Sequence, residues 1–115
     1  DDALKFLRRE VRRGSRYDGI LLDPPKYGRG PDGEVWALER DLPELVQLAR
    51  QLLSDEAAFL VLTVYAIRMS ALAIAALLEE TMADAGGAIT SGDMAIREQG
   101  RGLLLPTAIF SRWSR

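Results

Sequence analysis

Residues 17 to 28 read Tyr17-Asp18-Gly19-Ile20-Leu21-Leu22-Asp23-Pro24-Pro25-Lys26-Tyr27-Gly28. An apolar run from Ile20 to Leu22 ends abruptly in a carboxylate, two prolines and an aromatic. The run reads as a buried parallel strand. The Asp-Pro-Pro then sits at its carboxyl end, where open α/β sheets bind their ligands. Two successive prolines fix φ and remove two N–H donors. What is left is a rigid corner that presents acceptors: the Asp23 carboxylate and the carbonyls around it. Such a corner can grip an amine without competing donors. Tyr27 is close enough in sequence to lie over a flat ring.

Working outward, residues 2 to 13 read as a helix. Leu4, Leu7 and Val11 share one face, Arg8, Arg9, Arg12 and Arg13 another. Gly14 and Ser15 end it. The strand is expected over residues 17 to 22. Residues 26 to 33 hold three glycines and a proline and read as loop. Residues 34 to 53 carry helical spacing, interrupted by Pro43. Asp41 is expected to be an N-cap, with Pro43 in the first turn and Glu44 as its capping-box partner, so a short turn of helix precedes a longer one. Residues 57 to 65 form a second apolar, β-branched run and read as a buried strand. Residues 70 to 85 read as an apolar helix closed by Gly86 and Gly87. Residues 88 to 98 and 103 to 113 read as two strands joined by a turn over Gln99-Gly100-Arg101-Gly102. Strands alternating with helices give right-handed crossovers and a parallel sheet. The expected fold is therefore α/β, with parallel strands and a terminal antiparallel hairpin.

Composition limits the chemistry. The 115 residues suffice for one domain with a real core. The chain has no cysteine and no histidine, so thiolate nucleophiles, disulfides and the commonest general base and metal ligand are missing from it. No metal site is expected. The work falls to carboxylates, carbonyls, hydroxyls or a cofactor. The net charge of -2 does not point to nucleic acid, but Lys5, Arg8, Arg9, Arg12, Arg13 and Arg16 crowd the amino-terminal end. Those arginines could meet RNA phosphates, although a charged helix face is most often only solvated. Lys26, Arg29 and Arg68 lie nearer the expected strand ends and suit phosphates better. No apolar run reaches membrane-spanning length, so no membrane partner and a cytoplasmic location are expected.

With the Asp-Pro-Pro corner and closing hairpin in view, the chain resembles the class I S-adenosylmethionine-dependent methyltransferases. Residues Leu22-Asp23-Pro24-Pro25-Lys26-Tyr27-Gly28, Glu34-Val35-Trp36 and Leu104-Leu105-Pro106-Thr107 resemble the large-subunit ribosomal RNA methyltransferase group. The resemblance implies S-adenosylmethionine as cofactor and ribosomal RNA as substrate. It implies that Asp2 and Ala3 hold the adenine, through the Asp2 carboxylate and the Ala3 N–H. Asp23 and Pro24 would hold the methyl-accepting group, with Asp23 also beside the cofactor, and Tyr27 would stack on the base. Pro25, Lys26, Arg29, Thr63, Tyr65 and Arg68 would contact the substrate. The implied chemistry is an in-line displacement on the sulfonium methyl, where orientation alone can lower a barrier by roughly 7–11 kcal/mol. The base would be turned out of its stack to reach the site. Methylation of carbon 5 of cytosine needs a cysteine, so an amine or ring nitrogen is the expected target.

The family's glycine-rich cofactor loop and ribose-binding acid have no counterpart in these residues. The chain is therefore expected to be the carboxyl-terminal part of one methyltransferase domain, without the cofactor-loop portion. The strand ending at Asp23 would then have a bare edge, open to self-association. Two other readings stay open. One is a methyltransferase acting on a small molecule or a protein. The other is a non-catalytic α/β binding or dimerisation module.

Overall fold

A computed structural model describes residues 2–115. In chain order the elements are α1 (Ala3–Arg13), β1 (Gly19–Leu22), β2 (Tyr27–Arg29), β3 (Val35–Ala37), α2 (Leu38–Leu52), β4 (Phe59–Val64), α3 (Ala71–Thr81), β5 (Ala88–Arg97) and β6 (Leu104–Ser114). Four strands form one sheet in the order β1-β4-β6-β5. β1 and β4 are parallel, and β6 is antiparallel to both of its neighbours. β6 thus inserts between β4 and β5. The α/β class, the parallel pair and the terminal hairpin all match expectation.

The core lies on one face of the sheet. Leu60, Leu62, Val64 and Trp113 are almost fully buried there against Leu42, Val46 and Leu52 of α2 and Ile74 and Leu78 of α3. The alternate residues Leu21, Phe59 and Val61 belong to the other face and lie outside this core. Leu21 is 73% exposed. β1 is a border strand, so the expectation of a buried strand holds for neither its outer edge nor its second face. Tyr17 and Asp18 lie before the strand. Tyr17 forms an isolated parallel bridge with Leu53, outside the named strands.

Three further expectations are corrected. Residues 26 to 33 are not all loop, because β2 pairs with β3 in a small antiparallel hairpin. Gly33, at φ 84°, supplies the left-handed residue its turn requires. The helix following this hairpin is continuous through Pro43 and does not restart at Asp41. Pro43 forfeits one backbone hydrogen bond, but Leu42, Leu45 and Val46 are buried on either side of it and hold the helix to the sheet. Asp41 lies inside α2 and reaches back to accept the Ala37 N–H at 2.8 Å, while Glu44 pairs with Arg8 instead of capping. Lastly, α3 ends at Thr81, so Gly86 and Gly87 do not cap it. Both have positive φ and turn the chain into β5.

No helix is long and apolar enough to cross a membrane among the described residues. Among the same residues no group of three potential metal ligands is found.

Candidate active site

The Asp-Pro-Pro corner follows directly on β1. The parallel register sets Leu22 against Leu62, so Asp23 comes level with Thr63 on β4. The Thr63 hydroxyl donates to Asp23 Oδ1 at 2.5 Å. The Trp36 indole N–H, from β3, donates to the Pro25 carbonyl at 2.6 Å. The Lys26 carbonyl accepts the Leu38 N–H at 2.9 Å, where α2 begins. The corner is therefore held from three sides. Three of the acceptors it was expected to offer, Asp23 Oδ1 and the Pro25 and Lys26 carbonyls, are already engaged. Among the described residues Asp23 Oδ2 and the Pro24 carbonyl receive no hydrogen bond. Pro24 is buried, whereas Asp23 and Pro25 are exposed.

An open cleft of about 790 Å³ runs from this corner to the start of α1. Its walls are mostly apolar, with Phe6 and Leu7 on one side and Ile20 and Leu22 on the other. Gly28, Arg29 and Gly30 of the β2–β3 hairpin border it. Lys5 ties that hairpin to α1, donating to Asp32 at 3.3 Å and to the Glu34 carboxylate. The Glu34 carboxylate and Asp32 hold the Lys5 ammonium above its usual pKa, and Lys5 in turn lowers that of Glu34. Such exposed pairs add little stability, but they fix where the hairpin lies.

Of the residues expected to form the site, Asp2, Ala3, Asp23, Pro24, Pro25 and Arg29 line this cleft. Lys26, Tyr27, Thr63, Tyr65 and Arg68 do not. Tyr27 opens β2 and is 55% exposed. Tyr65 lies just past β4, beside Ala66, the only non-glycine residue at positive φ among those described (54°). Lys26 and Arg68 are exposed. Arg8 and Arg13 on α1 are paired with Glu44 and Glu10. The Glu10 carboxylate sits below its ordinary pKa because Ser15 and Tyr17 donate to it, aided by Arg13. Trp36, Lys5 and Glu34 are the contributors that sequence reasoning missed. Trp36 lies in the hairpin and packs partly against the core, and no local spacing links its indole N–H to Pro25.

One solved structure is close over nearly the whole chain. A SAM-dependent methyltransferase from Agrobacterium tumefaciens is 51% identical over 98% of this chain, with a TM-score of 0.94. The fold is that of the carboxyl-terminal part of a Rossmann-like methyltransferase. The chain spans 38% of that protein's length. A SAM-dependent methyltransferase described as putative, from Streptococcus mutans, shares this fold at 16% identity, with 98% of this chain and 29% of that one covered and a TM-score of 0.65. So does SMU.776, a putative methyltransferase complexed with SAH, at 16% identity and a TM-score of 0.57, with 98% and 30% covered. No family model matches the chain, and no curated protein does.

In this methyltransferase fold the cleft can be tested against S-adenosylmethionine. Ala3 is the first residue of α1, so its N–H has no partner within the helix. Asp2, beside it, uses Oδ1 to accept the Lys5 N–H at 2.8 Å, and the residue lines the cleft. Phe6, Leu7 and Ile20 supply apolar walls. A carboxylate for an exocyclic amine, an N–H for a ring nitrogen and apolar walls for a ring fit the adenine end of that molecule.

Proposed function

We propose that the protein carrying this chain transfers a methyl group from S-adenosylmethionine to a nucleobase nitrogen, in ribosomal RNA. The observation that carries this reading is the Asp23-Pro24 corner, opening on the same cleft as Asp2 and Ala3. Bound S-adenosylmethionine would supply an electrophilic methyl group. Asp2 and Ala3 would hold its adenine. The free Asp23 oxygen and the Pro24 carbonyl would accept hydrogen bonds from the target amine and aim its lone pair. Tyr27 would stack on the base, and the exposed Lys26, Arg29 and Arg68 would meet phosphates. Tyr65 and Pro25 would border the bound nucleotide. Because Asp23 is exposed, the proton shed by the methylated nitrogen has a path to water.

A second reading keeps the same corner and cofactor and takes a small molecule as the methyl acceptor. The test supplies the full-length protein with tritiated S-adenosylmethionine and RNA from cells lacking its gene. Label is expected in RNA, and Asp23→Ala is expected to cut transfer roughly a hundredfold. Label appearing only in a small-molecule extract of those cells would favour the second reading. Undiminished transfer by Asp23→Ala would remove the role assigned to the corner.

A further inference from the structure

We infer that Thr63 is a positioning residue for this site. Its hydroxyl holds one oxygen of the Asp23 carboxylate and so presents the other to the methyl acceptor. The inference rests on the methyl-transfer reading and adds the group that sets the direction of its key acceptor.

The geometry singles out Thr63. Asp23 lies beyond the last residue of β1, on an exposed corner. An aspartate there would ordinarily turn freely in water and take up several rotamers. Thr63 lies inside β4, with β1 on one side and Phe110 of β6 as its partner on the other. Its backbone is fixed by the sheet, and its β-branched side chain has few rotamers. A rigid donor thus faces an otherwise mobile acceptor. The hydroxyl has one proton to give. The Leu22 carbonyl is 3.5 Å from it and Asp23 Oδ1 is 2.5 Å away, so the carboxylate receives the hydrogen bond. Donation to an ionised oxygen is the stronger kind of hydrogen bond. With Oδ1 held, Oδ2 is the oxygen left to accept from an incoming amine, and its direction is set before that amine arrives. Thr63 does not line the cleft, so it acts through Asp23 and not by touching the cofactor.

The test compares Thr63→Val, which keeps the branched shape without the hydroxyl, with Thr63→Ser, which keeps the hydroxyl. In the full-length protein with the same RNA, Thr63→Val is expected to lower kcat by roughly ten- to a hundredfold. KM for S-adenosylmethionine is expected to stay within about twofold. Thr63→Ser is expected to recover most of the loss, and a crystal structure of Thr63→Val to show the Asp23 carboxylate turned or in two conformers. A Thr63→Val protein with the parent's kcat and an unmoved Asp23 overturns the inference. If Asp23→Ala is inactive in that case, the methyl-transfer reading itself survives. If RNA takes up no label, that reading has failed, and the role toward a methyl acceptor in RNA falls with it. The crystal structure then decides the remainder: an unmoved Asp23 overturns the hold of Thr63 on it, and a displaced one keeps Thr63 as the residue that orients Asp23.

Discussion

The carbonyl of Pro25 would be open to any passing donor were it not for Trp36. The indole N–H closes on it from β3 at 2.6 Å, across a separation of eleven residues. Phenylalanine at position 36 would keep the ring's bulk and lose that bond. We expect Trp36→Phe to destabilise the protein by about 1 kcal/mol, the usual net worth of such a hydrogen bond. We also expect it to slow methyl transfer, because the corner loses one of its three holds. Urea unfolding and the labelling assay would check both, and unchanged values in each would remove Trp36 from the site. Asp23 and Pro24 were legible in the sequence because their chemistry is local: a strand, then a carboxylate, then rigid backbone. Trp36 was not, because its partner is brought to it only by a hairpin. The resemblance implies Thr63 only as a substrate contact, and its bond to Asp23 follows from the parallel register.

At the scale of elements, α2 shows how a local signal can mislead. Asp41 before Pro43 reads as a helix start, yet the helix begins at Leu38 and Asp41 serves its first turn from within. The same carboxylate accepts from the Arg40 guanidinium at 2.7 Å. Arg40, and then the Ala37 N–H, pull the Asp41 pKa from its ordinary 3.8 to about 2. A carboxyl depressed in the folded state favours folding at pH values above 3.8. That contribution is lost as pH falls toward 2, where the folded form must also take up the proton. Stability is therefore expected to drop over this window, and Asp41→Asn to flatten the drop while lowering stability at neutral pH. Urea midpoints across the acid range would show it, and parallel curves for the two proteins would refute it. The β2–β3 hairpin escaped the sequence for a related reason. Gly28, Gly30, Pro31 and Gly33 read as breakers, and Val35 falls into helical register with Leu38 and Leu42. Strands of three residues leave no periodicity of their own to detect.

Over the whole molecule, the sheet was the most legible part, because β1, β4, β5 and β6 are long or strongly apolar. What the apolar runs could not reveal is that the core of this chain takes only one side of them. Ile20 and Leu22 pack on the core, whereas Leu21 between them does not. The carboxyl end is locked to the sheet through Gly87. At φ 72° it has left-handed backbone, and a Cβ there would come within 2.5 Å of the Ser114 carbonyl and 2.8 Å of Trp113 Nε1. Gly87→Ala is expected to cost at least about 1–2 kcal/mol from backbone strain alone, and a thermal melt matching the parent's would count against this packing. Trp113 donates its indole N–H to the Gly86 carbonyl at 2.7 Å and is 1% exposed, while Trp36 lies half-buried against the corner. The chain thus carries two natural fluorophores, the only tryptophans in its sequence, with divided duties. The emission of one follows the integrity of the core. That of the other is expected to follow the surroundings of the Pro25 carbonyl, so the bluer and the redder part of the spectrum are expected to report the core and the corner in turn.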